Sequence, residues 1–86
     1  MVINMTFRQL LSTMVAAQDF NNPYKIVLTV MEVNPIDEEC HPLCWAIDIK
    51  EFNKPEIKAM GLDDKEVIRY WLLECNSDTM FYEVQL

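Results

Sequence analysis

The sequence predicts an α+β fold: an N-terminal helix packed on an antiparallel sheet of about four strands, with a short helix before a C-terminal β-hairpin. Three observations lead there. Phe7, Leu10, Leu11, Met14 and Val15 form one apolar stripe at helical spacing. Several later segments are rich in β-branched and aromatic residues or alternate apolar with polar. Proline and Asx-rich turn chemistry separates these segments. With 86 residues, positions 1–86 are read as a single domain.

The first helix has its own start signal. Thr6 and Gln9 stand at the positions of a capping box, and Met5 and Leu10 at those of a hydrophobic staple. Ala16 and Ala17 extend the helix to about Gln18, and Asp19 to Pro23, with Asn21-Asn22-Pro23, ends it. Tyr24 to Val33 reads as a strand that is apolar on both faces and therefore central or covered twice. Asn34 to Pro42 is a polar loop with two prolines, carrying Asp37, Glu38 and Glu39.

Leu43 to Ile49 alternates, with Leu43, Trp45, Ile47 and Ile49 on one side and Cys44, Ala46 and Asp48 on the other. It is predicted to be the return arm of a hairpin with the preceding strand. Asn53 to Met60, with Pro55 near its start and Gly61 after its end, predicts a short helix. Val67 to Glu74 is predicted as a strand, and a helix capped by Asp63 and Glu66 is the alternative. Asn76-Ser77-Asp78-Thr79 forms a turn, and Met80 to Leu86 alternates as the terminal strand.

Composition narrows the function classes. Seven basic residues against fourteen acidic ones give a net charge of −7, which disfavours direct nucleic-acid binding because phosphate neutralisation supplies most of that affinity. A single glycine excludes glycine-rich phosphate loops. No apolar run is long enough to span a membrane, and no basic region leads into an apolar block as in a signal peptide. The three cysteines, Cys40, Cys44 and Cys75, are then expected as reduced thiols in a cytoplasmic compartment.

The chain resembles small proteins encoded by phages and prophages. The resemblance rests on the M-T-F-R-x-L-L start at Met5 to Leu11, the apolar strand, the short helix Lys54–Met60, the acidic step Asp64-Lys65-Glu66-Val67 and the strand pair flanking Asn76–Thr79. It implies a bacterial host cell and no defined chemistry. Some small acidic phage proteins inhibit host defence systems, CRISPR nucleases among them. The loop Asn34–Pro42 and the three cysteines depart from the pattern.

Candidate chemistry is sparse. Cys40, His41, Cys44 and Cys75 would supply sulfur and nitrogen ligands to zinc, but C-x3-C with one distant cysteine is not the paired spacing of structural zinc sites. The plainer reading is small buried thiols with no metal and no cofactor. His41 is the lone histidine, so Cys–His catalysis would need Cys75 to reach it across the fold. Asp37, Glu38 and Glu39 form an acidic cluster suited to a basic, nucleic-acid-binding surface of a host protein. Trp45, Tyr70, Trp71, Phe81 and Tyr82 cannot all lie on the inner face of two hairpins, so at least one aromatic among Tyr70, Trp71, Phe81 and Tyr82 is expected to face outward as a partner surface or homodimer seam. The leading expectation is a non-enzymatic phage or mobile-element protein that binds a host protein through the acidic loop and these aromatics, with inhibition of a nucleic-acid-handling defence machine as one form of that binding. A homo-oligomeric assembly subunit and a small zinc-stabilised module are the alternatives.

Overall fold

The first helix begins where its own side chains cap it. In the computed structural model, which describes residues 4–19 and 24–86, α1 spans Phe7–Asp19. Thr6 N–H donates to Gln9 Oε1 at 2.9 Å, and Gln9 N–H donates to Thr6 Oγ1 at 3.3 Å, a reciprocal capping box. The next two orphan donors of the first turn, Phe7 and Arg8 N–H, reach the Lys65 and Asp63 carbonyls at 2.9 and 3.0 Å. The Asn21-Asn22-Pro23 break expected after the helix lies outside the described residues.

Four strands follow: β1 (Lys25–Val33), β2 (Cys40–Asp48), β3 (Arg69–Cys75) and β4 (Thr79–Gln85), in the order β2-β1-β4-β3. A 3₁₀ turn (Ile49–Asn53) and the short helix α2 (Pro55–Lys58) connect the two hairpins. The α+β class and the order of elements agree with the sequence, and Val67–Glu74 resolves as strand rather than helix from Arg69 onward. The Asp63–Glu66 segment that suggested a helix start is instead a turn. Lys65 N–H donates to the Leu62 carbonyl, and Glu66 bridges to Thr6 as a scrap of sheet.

One correction concerns the sheet, which is mixed rather than wholly antiparallel. β1 pairs with β2, and β3 with β4, in antiparallel fashion, while the central pair β1 and β4 runs parallel. The reason is the crossing segment 49–68. It leaves β2 at the end where β1 starts and delivers the chain to β3 at the end where β1 finishes. The second hairpin therefore closes with β4 alongside β1 and in the same direction.

A second correction concerns β2. Leu28 faces Ile47 and Val30 faces Cys44, so both Trp45 and Ala46 lie opposite Thr29, a β-bulge. Ala46 sits at φ 51°, and its N–H donates to Thr29 Oγ1 at 3.1 Å. The extra residue breaks the expected alternation. Cys44 is buried and Trp45 is 72% exposed, where strict alternation grouped Trp45 with Leu43 and Ile47.

The core lies between α1, the crossing segment and one face of the sheet. Phe7, Leu10, Leu11 and Met14 meet Ile26, Leu28 and Val30 of β1, Val84 of β4, and Ile49, Phe52 and Leu62 of the crossing segment. Gly61, at φ 69°, turns the chain out of α2 in a left-handed conformation that a side chain would disfavour. No described helix is long and apolar enough to cross a membrane.

Candidate interaction surface

The strand order leaves β3 at one edge, paired through β4 alone. All seven of its residues are exposed, although four are large and apolar: Tyr70 at 45%, Trp71 at 38%, Leu72 at 44% and Leu73 at 52%. Ile68, just before it, is also exposed. Register fixes where each side chain goes. Tyr70 and Leu72 stand opposite Val84 and Tyr82 and so share the helix-covered face, while Trp71 stands opposite Glu83 on the reverse face. Between Leu72 and Glu74 a bulge inserts Leu73.

α1 does not reach over this edge. A cavity of about 180 Å³ separates it from the terminal hairpin, lined by Leu10, Thr13, Met14, Ala17, Ile26, Tyr70, Met80 and Tyr82. Tyr70 also lines a neighbouring groove of about 330 Å³ with Met5, Val67, Ile68 and Arg69. The edge strand is thus flanked by an apolar trough with Tyr70 at its middle. On the reverse face Arg69 lies over the Trp71 ring, 6.0 Å from its centroid, and donates to Gln85 Oε1. These contacts fix the cation at the start of the strand, with Glu74 near the end.

Of the aromatics singled out in the sequence, Tyr70 and Trp71 are exposed while Phe81 and Tyr82 are half-buried. The sequence reading passed over Ile68, Leu72 and Leu73 and grouped Trp45 with Leu43 and Ile47, because nothing local marks β3 as an edge or Trp45 as part of a bulge. Glycine, proline or lysine, the usual disruptors of an exposed edge, do not occur between Arg69 and Cys75.

The acidic set occupies a different place, the β1–β2 connection on the β2 side of the sheet. Asp37, Glu38 and Glu39 are all exposed. The loop is braced by Asx bonds: Ile36 N–H donates to Asn34 Oδ1 and Glu39 N–H to Asp37 Oδ1, each at 2.9 Å. Its tip also holds Ile36 92% exposed, an apolar knob beside the carboxylates. The acidic loop and the terminal-hairpin aromatics therefore do not form one continuous surface.

The proposed zinc ligands are not brought together. Cys40, His41 and Cys44 lie on β2 and Cys75 on β3, at opposite edges of the sheet. Three strand spacings of about 4.8 Å each keep them far beyond metal-bond lengths of about 2.0–2.3 Å. Cys40 and Cys75 are exposed; Cys44 is buried, its thiol 3.9 Å from Met60 Sδ, and burial raises its pKa above the usual thiol value. Among the described residues, Asp37, Glu39 and His41 do place one ligand atom each within 4.8 Å of one another, all of them exposed. The same sheet geometry keeps His41 from Cys75.

The cleft between α1 and the crossing segment, about 430 Å³, is lined by Arg8, Leu11, Ser12, Val15, Ala16, Ile49, Phe52, Asn53 and Lys58. Its two cations are engaged: Lys58 Nζ lies 2.7 Å from Asp63 Oδ2, and Arg8 reaches Asp63 and Asp64 at 3.8 and 3.4 Å. Compared with known proteins, the chain matches no protein-family model, no curated protein and no solved structure.

Proposed function

We propose that this chain is a non-enzymatic protein-binding domain whose contact surface is the β3 edge. One observation carries the reading: a seven-residue edge strand with every residue exposed holds four large apolar side chains beside an apolar trough. A free sheet edge offers unpaired backbone donors and acceptors, and adding a strand satisfies them while the flanking side chains leave water. The fold supports binding over turnover. Its histidine and its exposed Cys75 sit on opposite sheet edges, and the cations of the cleft between α1 and the crossing segment are held by Asp63 and Asp64.

The test is a photo-crosslinking amino acid in place of Leu73, with the same group at exposed Lys50 as control. Irradiation of pure protein and of protein mixed with bacterial cytosol gives adducts from position 73, to this chain or to another protein, well above the control. Equal, background-level adducts at both positions under both conditions refute the reading.

The braced acidic loop supports a second contact. Asp37, Glu38 and Glu39, with Ile36 exposed among them, suit a basic groove on a nucleic-acid-handling host protein, in keeping with the resemblance to phage proteins. Such binding would weaken steeply with salt and be lost on changing all three acids to serine. Retention of binding by that triple variant removes the loop from the interface.

A further inference from the structure

We propose that the occupant of the β3 edge is a second copy of this chain, joined antiparallel through β3 about a two-fold axis near Leu72, making one continuous eight-stranded sheet. The proposal rests on the protein-binding reading of that edge. Three observations favour a second copy over a foreign strand.

First, the strand is complementary to itself. It opens with Arg69 and closes with Glu74, and Tyr70 to Leu73 lie between them. Antiparallel pairing centred near Leu72 brings the Arg69 end of each strand beside the Glu74 end of the other. Opposite charges then meet twice, and apolar side chains meet in the middle. A parallel in-register pairing would instead stack like charges. Second, Arg69 is pre-positioned by its contacts with Gln85 and Trp71, so little freedom is lost when it meets a carboxylate. Third, the opposite edge of the sheet is unsuited to pairing. β2 carries Pro42, which has no N–H, and its ladder with β1 shifts register on both sides of Val30. Edge-to-edge growth is blocked there, so β3 pairing closes as a dimer instead of propagating as a fibre. The bulge at Leu73 bends both copies equally and is compatible with the two-fold axis.

The test combines sedimentation with charge reversal. Wild-type protein is expected to dimerise over about 1–100 μM, a range suited to an interface of this size. Leu72→Lys should be monomeric throughout. Arg69→Glu and Glu74→Arg, each alone, place like charges together twice and should weaken the dimer by about tenfold or more. An equimolar mixture of the two single variants pairs glutamate with arginine at both ends, and heterodimers should recover most of the lost affinity. That recovery depends on antiparallel register, and a purely local role for Arg69 would not produce it. Far-ultraviolet circular dichroism and melting check that each variant is folded. Should Leu72→Lys fail to fold, the mixing experiment decides alone. A wild-type monomer up to about 100 μM overturns the proposal, as does a dimer unaffected by all three substitutions or single variants that do not recover on mixing. If the wild type is monomeric while position 73 still crosslinks to another protein, self-pairing is wrong and the binding edge stands. If neither occurs, both are wrong.

Discussion

Replacing Phe7 with alanine tests the packing that joins the helix to the crossing segment. Phe7 is fully buried, and its ring meets Phe52 edge-on, with centroids 5.4 Å apart and planes at 72°. Its N–H bond to the Lys65 carbonyl comes from the backbone and survives the change, so the substitution isolates the side chain. Truncating a buried phenylalanine costs about 3–5 kcal/mol, as transfer energy and cavity together. At roughly 0.05–0.15 kcal/mol per residue, a chain of 86 residues has about 4–13 kcal/mol in total. Phe7→Ala should thus remove about a quarter or more of the stability and move the unfolding midpoint to markedly lower urea. The assay is urea unfolding followed by circular dichroism, in a Leu72→Lys background so that association does not add to the folded state. Phe7→Leu and Phe52→Leu, singly and together, give a cycle with an expected coupling of about 0.5–1.5 kcal/mol from the ring pair. A loss below about 1 kcal/mol for Phe7→Ala, with an additive leucine cycle, would refute the packing argument.

Three further outcomes are expected. Thr6→Ala removes the acceptor for Gln9 N–H and should cost about 1 kcal/mol, lowering Tm by about 4–8 °C in thermal melts. Ala46 holds a left-handed conformation, so Ala46→Gly should raise stability by up to about 1 kcal/mol, whereas Gly61→Ala should lower it by about the same amount. Nothing lies within 4 Å of a Cβ built at Gly61, so its loss is backbone strain alone, readable as a shift in urea midpoint. The third concerns the thiols. Cys40 and Cys75 should react quickly with a disulfide reagent near neutral pH and Cys44 slowly, in a time-resolved absorbance assay. Because the folded Cys44 thiol holds its proton more tightly than the unfolded one, its contribution is intact below the unfolded thiol pKa of about 8.5 and is lost as pH rises beyond it. Cys44→Ala should flatten that alkaline decline.

Local signals in the sequence carried local structure. The Thr6 and Gln9 pair marked the helix start because a capping box is complete within four residues, and the Asn76–Thr79 turn was legible for the same reason. Pro55 and Gly61 bracketed α2, though the preceding 3₁₀ turn, Ile49–Asn53, carried no signal of its own: Ile49 read as the end of a strand and Asn53 as the start of the short helix. What depends on distant pairing was hidden. Strict alternation around Trp45 assumed an unbroken ladder, and the bulge depends on how β2 meets Thr29 across the sheet. The aromatic excess of the terminal hairpin was readable, but its position at an edge follows from a strand order that no short window encodes. The acidic loop was visible as a loop. Its separation from the hairpin, and the dispersal of the four zinc-ligand candidates, became clear only with the sheet assembled.

The parallel pairing of β1 with β4 constrains how the chain acquires its structure. Lys25 to Met31 must await Thr79 to Gln85, so the middle of the sheet is built from the most widely separated strands in the sequence. Loop closure over such a span comes before any reward from the contact, which slows folding relative to a chain of two independent hairpins. During synthesis, Ile26, Leu28 and Val30 have α1 and β2 for company but no second neighbouring strand until the sequence beyond β3 has emerged. In that interval the bare flank of β1 is the vulnerable surface, and shortening the chain within β4 should yield aggregates instead of a smaller folded unit.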